Sequence, residues 1–304
     1  MRSCDILARY HTPCIAAYST TRALYGKYKG PLYRIKRTSD KKARTIYPVK
    51  AGGAANTKPQ STFCRRTTCH ITVIFDQSGH HRNLTPAGAS ASAVAPNPDV
   101  PARAGAAPVK VNGRKVYGVY VTRGFGRNVP GVGYRDNRAH IATGNSPEGI
   151  YEVVAGNHTD NQCCFDFGNA ETTSTDQGKG HMEALYYGSF PADHGPGPWV
   201  KADTENGLPF SGPAARSRFT IAMLTDNGKN FQVLHGNATA SGLTAERQFS
   251  SPQYKQGAIV LGTGGDNSDW GAGTFYEGAV TRGAPSKAAL KAVQSNIVAA
   301  RYRA

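Results

Sequence analysis

Carboxylates set in short, glycine-flanked segments are the residues best suited to chemistry in this chain. Trp199–Asn206 reads WVKADTEN, which puts Asp203 and Glu205 two apart and therefore on one face of an extended strand. Gly262–Ser268 reads GTGGDNS, which puts Asp266 in a turn where glycines let a ligand approach the backbone. Cleavage of a glycosidic bond needs two carboxyl groups across one sugar ring, one ionised and one protonated. Asp203 or Glu205 facing Asp266 meets that need. The plainer alternative makes Asp203 a turn or salt-bridge residue and Asp266 an Asx-turn residue.

Six cysteines form the second group: Cys4 and Cys14, Cys64 and Cys69, and the adjacent Cys163 and Cys164. They point to an oxidising compartment, and six cysteines permit about 15 pairings. If the two early pairs close locally, the remaining partners are chain neighbours. Such a bond is unusual, because consecutive Cα atoms lie about 3.8 Å apart across a trans peptide, below the range of ordinary disulfides. The alternatives are distant partners or free buried thiols. Zinc is a weaker option, since only Cys64, Cys69 and His70 approach ligand spacing. GFGRNVPG at Gly124–Gly131 lacks the ending of a phosphate loop, and no G-x-S-x-G elbow occurs.

The 304-residue chain has 36 Lys and Arg against 20 Asp and Glu, a net charge of +16 that first suggests an anionic partner. Its distribution argues otherwise. Residues 1–50 hold twelve basic side chains against Asp5 and Asp40, whereas Glu148–Glu205 holds ten acids against Lys179 and Lys201. Acids gathered in this way repel phosphates, so a nucleic-acid partner is not expected. Nor is a membrane partner, because no run approaches roughly 18 apolar residues. Arg2, Asp5 and Arg9 interrupt any leader-like apolar stretch at the start.

The elements that must position these groups are mostly strands. Runs rich in β-branched and aromatic residues fall at His70–Gln77, Lys115–Thr122, Gly149–Ala155, His181–Gly188, Arg218–Leu224, Phe231–His235, Gly257–Gly262 and Gly273–Thr281. With so few helical periods between them, an all-β sandwich or barrel is expected. Helices are expected over Pro13–Tyr25 and from the N-cap Ser286 to Arg301, and a long surface loop over Leu84–Ala107. With 35 Gly and 18 Pro, turns should be frequent.

The chain resembles the catalytic domain of glycoside hydrolase family 54, the α-L-arabinofuranosidases of B type. The segments that carry the resemblance are CDILARYHTPCIAAYSTTRALYGKYKGPLY at Cys4–Tyr33, ITVIFDQSGHHRNLT at Ile71–Thr85 and NQCCFDFGNAETTSTDQGKGHMEALYYG at Asn161–Gly188, with GPWVKADTENGLPFSG at Gly197–Gly212 and GAIVLGTGGDNSDWGAGTFYEGAVT at Gly257–Thr281. It is weakest across Pro86–Ala107 and Arg123–Asn145.

The resemblance implies a concanavalin-like, jelly-roll β-sandwich with a few peripheral helices, in a single catalytic domain over residues 1–304 without the family's C-terminal arabinose-binding module. It implies Glu205 as nucleophile and Asp266 as acid/base. It also implies Cys4–Cys14 and Cys64–Cys69 as local disulfides and a Cys163–Cys164 disulfide packed against the arabinose. Asp203, Asn206 and the backbone near Gly265 match positions that hold sugar hydroxyls. No metal or cofactor is expected. The implied activity is that of a retaining, secreted exo-α-L-arabinofuranosidase acting on arabinan or arabinoxylan side chains, with β-xylosidase side activity possible. A lectin-like sugar binder that has lost turnover is the alternative. Weak adhesion to acidic pectin through Arg34, Lys36, Arg37, Lys41 and Lys42 could coexist with either. One departure stands out: the loop at Ser189–Pro196 is shorter than in the family and offers Phe190 and His194 where a tryptophan is usual.

Overall fold

The structure is a computed structural model that describes all residues except 90–96, 126–128, 192–194, 206, 210–211 and 251–252, together with the side chains of 246 and 247. Along the chain, α1 (Ser3–Arg9) leads into β1 (Cys14–Ser19), β2 (Tyr33–Arg37), β3 (Ala43–Ile46), α2 (Lys58–Phe63) and β4 (Cys69–Ile74). Next come β5 (Thr85–Pro86), β6 (Ala107–Val111), β7 (Arg114–Val121), β8 (Tyr134–Asp136), β9 (Glu148–Thr159), β10 (Asp166–Ala170) and β11 (Glu183–Gly188). The last are β12 (Trp199–Asp203), β13 (Phe219–Asp226), β14 (Asn230–Asn237), β15 (Leu243–Ser250), β16 (Ala258–Leu261), β17 (Gly273–Arg282) and α3 (Lys287–Ala299).

Two antiparallel sheets form a sandwich. One runs β15-β14-β13-β9-β17-β7-β6, with β1 also paired to β17, and the other runs β12-β11-β10-β16-β8-β5. Phe167 of β10 meets Phe275 of β17 with ring centroids 5.0 Å apart, and Tyr18 of β1 meets Phe167 edge-on, so aromatic side chains from both sheets fill the space between them. The central strands are buried on both faces, as in β17, where only Arg282 is exposed. A small third sheet, β3-β2-β4, carries much of the basic N-terminal segment.

The eight expected strands all occur, with shifted ends. The expected helix over Pro13–Tyr25 does not. Its first part is β1, all six residues of which are buried while pairing with β17. The true helix, α1, lies earlier and ends before His11, which has φ 61°, and Pro13. The alanines that suggested a helix serve instead as small residues in a strand covered on both sides. Cys4–Cys14 joins α1 to β1, and Cys64–Cys69 joins the end of α2 to β4; the latter bond removes the zinc option. Ser286 caps α3 by accepting from the Ala289 amide at 3.2 Å. The expected loop at Leu84–Ala107 includes 90–96, outside the described residues; its ends are partly internal, with Leu84 and Ala102 fully buried. No described helix is long and apolar enough to cross a membrane.

Candidate active site

The floor of the site is a row of residues in register across five strands. Asp203 pairs with Ala184, Ala184 with Gly168, Gly168 with Val260, and Val260 with Arg135. Cross-strand partners share a face, so Asp203 and Arg135 stand at opposite ends of a strip made of small residues. Small side chains in the middle and charged ones at the ends leave room above the sheet for a polar ligand.

Three segments rise around this floor. Cys163 and Cys164, joined by a disulfide across a cis peptide, immediately precede Phe165 and β10. Glu205 follows β12. Gly262–Ser268 follows β16. Together they enclose a cavity of about 310 Å³ lined by Cys163, Cys164, Asp203, Glu205, Gly265 and Asp266, with Phe190, Pro191, Leu208 and Ser268 at its rim. The sulfurs of Cys163 and Cys164 lie 3.9 and 3.7 Å from Asp203 Oδ2, and Ser268 Oγ lies 3.7 Å from Cys164 Sγ. The two carboxylate segments and the adjacent cysteines, separate in the chain, thus share one cavity.

Asp203 and Glu205 do not reach it by strand alternation. β12 ends at Asp203, and Glu205 has φ 69°, a left-handed conformation that a residue with a Cβ adopts only when its surroundings hold it there. The hold comes from Asp203 Oδ1, which accepts from the Glu205 amide at 2.9 Å. Asp266 is half-buried in an Asx-turn, its Oδ1 accepting from the Ser268 amide at 2.8 Å. The turn and the proposed chemistry are therefore compatible, since one oxygen fixes the other. A Cβ at Gly265 would come within 2.0 Å of the Glu171 carboxyl, so a larger residue there would push Glu171 away. Asn206 and His194 lie outside the described residues.

The electrostatics are dominated by crowded acids. Burial, then the charges of Glu171, Asp203, Asp176 and Asp266, push the Glu205 carboxyl up to about 9. Burial likewise pushes Asp203 up to about 6 and Glu171 up to about 7. Buried Asp166 lies beneath, raised well above the carboxylate range by burial and by Asp203 and Glu205. Donor oxygens of Glu171, Asp176 and Glu205 fall within 4.8 Å of one another, close enough to suit a cation, and another such grouping combines Asp166 and Asp203 with the two cysteines. In the latter the sulfurs are bonded to each other, so they are not thiolate ligands.

Sequence reasoning missed Glu171, Asp176 and Arg135. The first two lie within Asn161–Gly188, and their acidity was the available signal. Arg135 had none. Its Nη1 donates to the Gly265 carbonyl at 2.7 Å and to Asn267 Oδ1 at 2.6 Å, while Nη2 donates to the Glu171 carbonyl.

The family model for the catalytic region of α-L-arabinofuranosidase B matches residues 3–303. The α-L-arabinofuranosidase B of Emericella nidulans is 48% identical over 98% of this chain and 62% of its own length. An arabinofuranosidase/β-xylosidase of Trichoderma koningii is 46% identical over the same shares. The chain thus spans 62% of the length of these curated relatives. Among solved structures, a glutamate-to-glutamine mutant of a glycoside hydrolase family 54 α-L-arabinofuranosidase soaked with 4-nitrophenyl α-L-arabinofuranoside superposes with a TM-score of 0.93, at 42% identity, over 100% of this chain and 66% of that one. An arabinofuranosidase complexed with arabinofuranosyl-α-1,2-xylobiose gives the same score and identity, over 99% of this chain and 66% of that one.

Proposed function

Because this chain belongs to the α-L-arabinofuranosidase B catalytic family, we propose that it is a retaining, exo-acting α-L-arabinofuranosidase that releases terminal arabinofuranose from arabinan or arabinoxylan side chains. The observation that carries the reading is the single cavity lined by Glu205, Asp266 and the Cys163–Cys164 disulfide. Its size suits one sugar ring, as an exo-acting enzyme requires, and both carboxyl groups favour turnover over a lectin-like role. The Trichoderma koningii relative carries a β-xylosidase name, which supports a side activity on β-xylosides.

In this mechanism ionised Glu205 attacks the anomeric carbon while Asp266 gives its proton to the leaving oxygen. Asp266 then takes a proton from water, which releases the sugar from Glu205 with retained configuration. Burial and neighbouring acids favour a proton on Glu205 in the empty cleft. Glu205 must lose that proton before it can attack. The disulfide offers a flat, polarisable surface to the sugar's apolar face. Asp203, the Gly265 backbone and Asn206 hold hydroxyls.

Hydrolysis of 4-nitrophenyl α-L-arabinofuranoside by the oxidised wild type, Glu205→Gln and Asp266→Asn tests the assignment. Turnover should vanish in the first variant. In the second it should fall about 10²–10⁴-fold on glycosides with poor leaving groups, and less on the aryl substrate, whose departure needs little proton donation. An inactive wild type would defeat the reading.

The disulfides support a secreted location. Exposed Arg34 and Lys36 on β2, with Lys41 and Lys42 beside them, support weak adhesion to acidic pectin. Binding that persists unchanged at high salt would remove that part.

A further inference from the structure

Beside the sugar cavity lies a second, of about 390 Å³, lined by Arg123, Gly124, Phe125, Gln162 and Trp270. Two large aromatic side chains stand exposed there, Phe125 at 74% and Trp270 at 39%, in a protein that otherwise buries most of its rings. The two cavities share their walls through the chain. Gln162 is bonded to Cys163, and Trp270 follows Ser268 by two residues, while Cys163 and Ser268 both line the sugar cavity. Next to Trp270, Gly271 packs so closely on the disulfide segment that a Cβ there would come within 2.7 Å of Phe165 N and 2.8 Å of Cys164 C.

The two backbone segments that carry these aromatics meet at one residue, Asp269. Its carbonyl accepts from the Gly124 amide at 2.6 Å, and its Oδ2 accepts from the Gly131 amide at 2.6 Å. These bonds fasten both sides of the Phe125–Val129 bridge to the segment that carries Asp266 and Trp270. Fixing the backbone that carries the two rings lowers the entropy cost of ordering them around a ligand.

We propose that Phe125, Trp270, Arg123 and Gln162 form a leaving-group subsite, which binds the sugar ring to which the departing arabinose is attached. The inference rests on the enzyme reading above and follows from where the acid sits. A retaining glycosidase places its acid on the leaving-group side of the scissile bond. Trp270 lies on the acid's own loop, four residues beyond Asp266, whereas the other neighbouring cavity adjoins Gly207 and Leu208, beyond Glu205. A neutral pyranose or furanose offers an apolar C–H face to the rings and hydroxyls to Arg123 and Gln162, the mixture this cavity provides.

The experiment compares wild type, Trp270→Ala, Trp270→Phe and Phe125→Ala on arabinofuranosyl-xylotriose and on methyl α-L-arabinofuranoside. For both alanine variants kcat/KM on the oligosaccharide should fall about five- to twenty-fold, mostly through KM, with Trp270→Phe retaining most of the activity. On methyl α-L-arabinofuranoside, whose methyl leaving group is too small to span these rings, all variants should stay within about two-fold of wild type. Equal losses on both substrates, or none on the oligosaccharide, would overturn the subsite. A second measurement separates it from the enzyme reading. Trp199, the other of the two tryptophans, is buried, so quenching of fluorescence by xylotriose reports on Trp270. Saturable quenching in wild type, lost in Trp270→Ala, supports the subsite even if the aryl arabinoside is not cleaved; its absence overturns it.

Discussion

Arg135 and Asp203 lie on one register row, linked through Val260, Gly168 and Ala184 across five strands. The row fixes the width of the sugar floor in backbone geometry, independent of any loop. Arg135 then bonds to the carbonyls of Gly265 and Glu171 and to Asn267, which ties the Asp266 turn to the end of β10. A buried guanidinium with several acceptors is hard to replace, because lysine cannot reproduce its planar fork.

Arg135→Lys should therefore misplace the acid while leaving the nucleophile in its loop. The expected result is a fall in kcat of about 10- to 100-fold on arabinofuranosyl oligosaccharides, with a smaller loss on 4-nitrophenyl arabinoside. That difference distinguishes positioning from general damage, which would lower both alike. Steady-state kinetics on the two substrates beside a thermal melt provide the check.

The disulfide yields a different signature. Cys163 and Cys164 sit against Asp203 and Ser268 at the cavity wall, whereas the two other disulfides join elements elsewhere in the fold. Replacing both Cys163 and Cys164 with serine should raise KM about three- to ten-fold by removing a polarisable sugar contact, with little change in the melting midpoint. A collapse of the midpoint together with kcat would make the pair structural instead.

Much of this arrangement is legible in the sequence, for identifiable reasons. Strands such as Lys115–Thr122 announce themselves by β-branched residues bounded by turns, and α3 by Ser286 and its periodic Leu290, Val293 and Ile297. Local propensity failed at Cys14–Ser19, where pairing with β17 overrides an alanine-rich pattern. It failed again at Glu205, because strand alternation cannot foresee that β12 stops two residues earlier. Arg135 was invisible for a deeper reason. Its partnership with Asp203 passes through three other strands, and cross-strand register is a property of the assembled sheet.

Acid clustering also makes the folded state sensitive to pH. The carboxyls of Asp203, Glu171, Asp99 and Glu205 are raised to about 6, 7, 8 and 9, burial being the largest cause in each. Each binds its proton more tightly folded than unfolded. Their contribution is fully present below the ordinary carboxylate range and is lost progressively as pH rises from there through these values. The substrate-free protein should therefore show its highest melting midpoint near pH 4–5, with a decline toward pH 9. Calorimetry across that range checks it, and a midpoint that rises from pH 5 to 8 would contradict the assignment.

Glu171 offers the sharpest view of how the nucleophile is tuned. Its charge raises Glu205 more than that of any other neighbouring acid, and its side chain packs over Gly265. Only its backbone carbonyl is used by Arg135. Glu171→Gln thus removes a negative charge beside Glu205 while keeping the strap that holds the acid turn. With that charge gone, Glu205 ionises more readily, so the acid limb of the kcat/KM profile should move to lower pH by about one unit. Because these acids titrate as a group, the shift belongs to the apparent value and not to Glu205 alone. The profile of Asp176→Asn should move in the same direction by less, since its charge acts more weakly on Glu205 than those of Glu171 and Asp203. A pH–rate series on the aryl arabinoside decides the matter: an acid limb that stays in place in Glu171→Gln, with the rate otherwise preserved, would show that Glu205 is not the group whose ionisation limits the reaction.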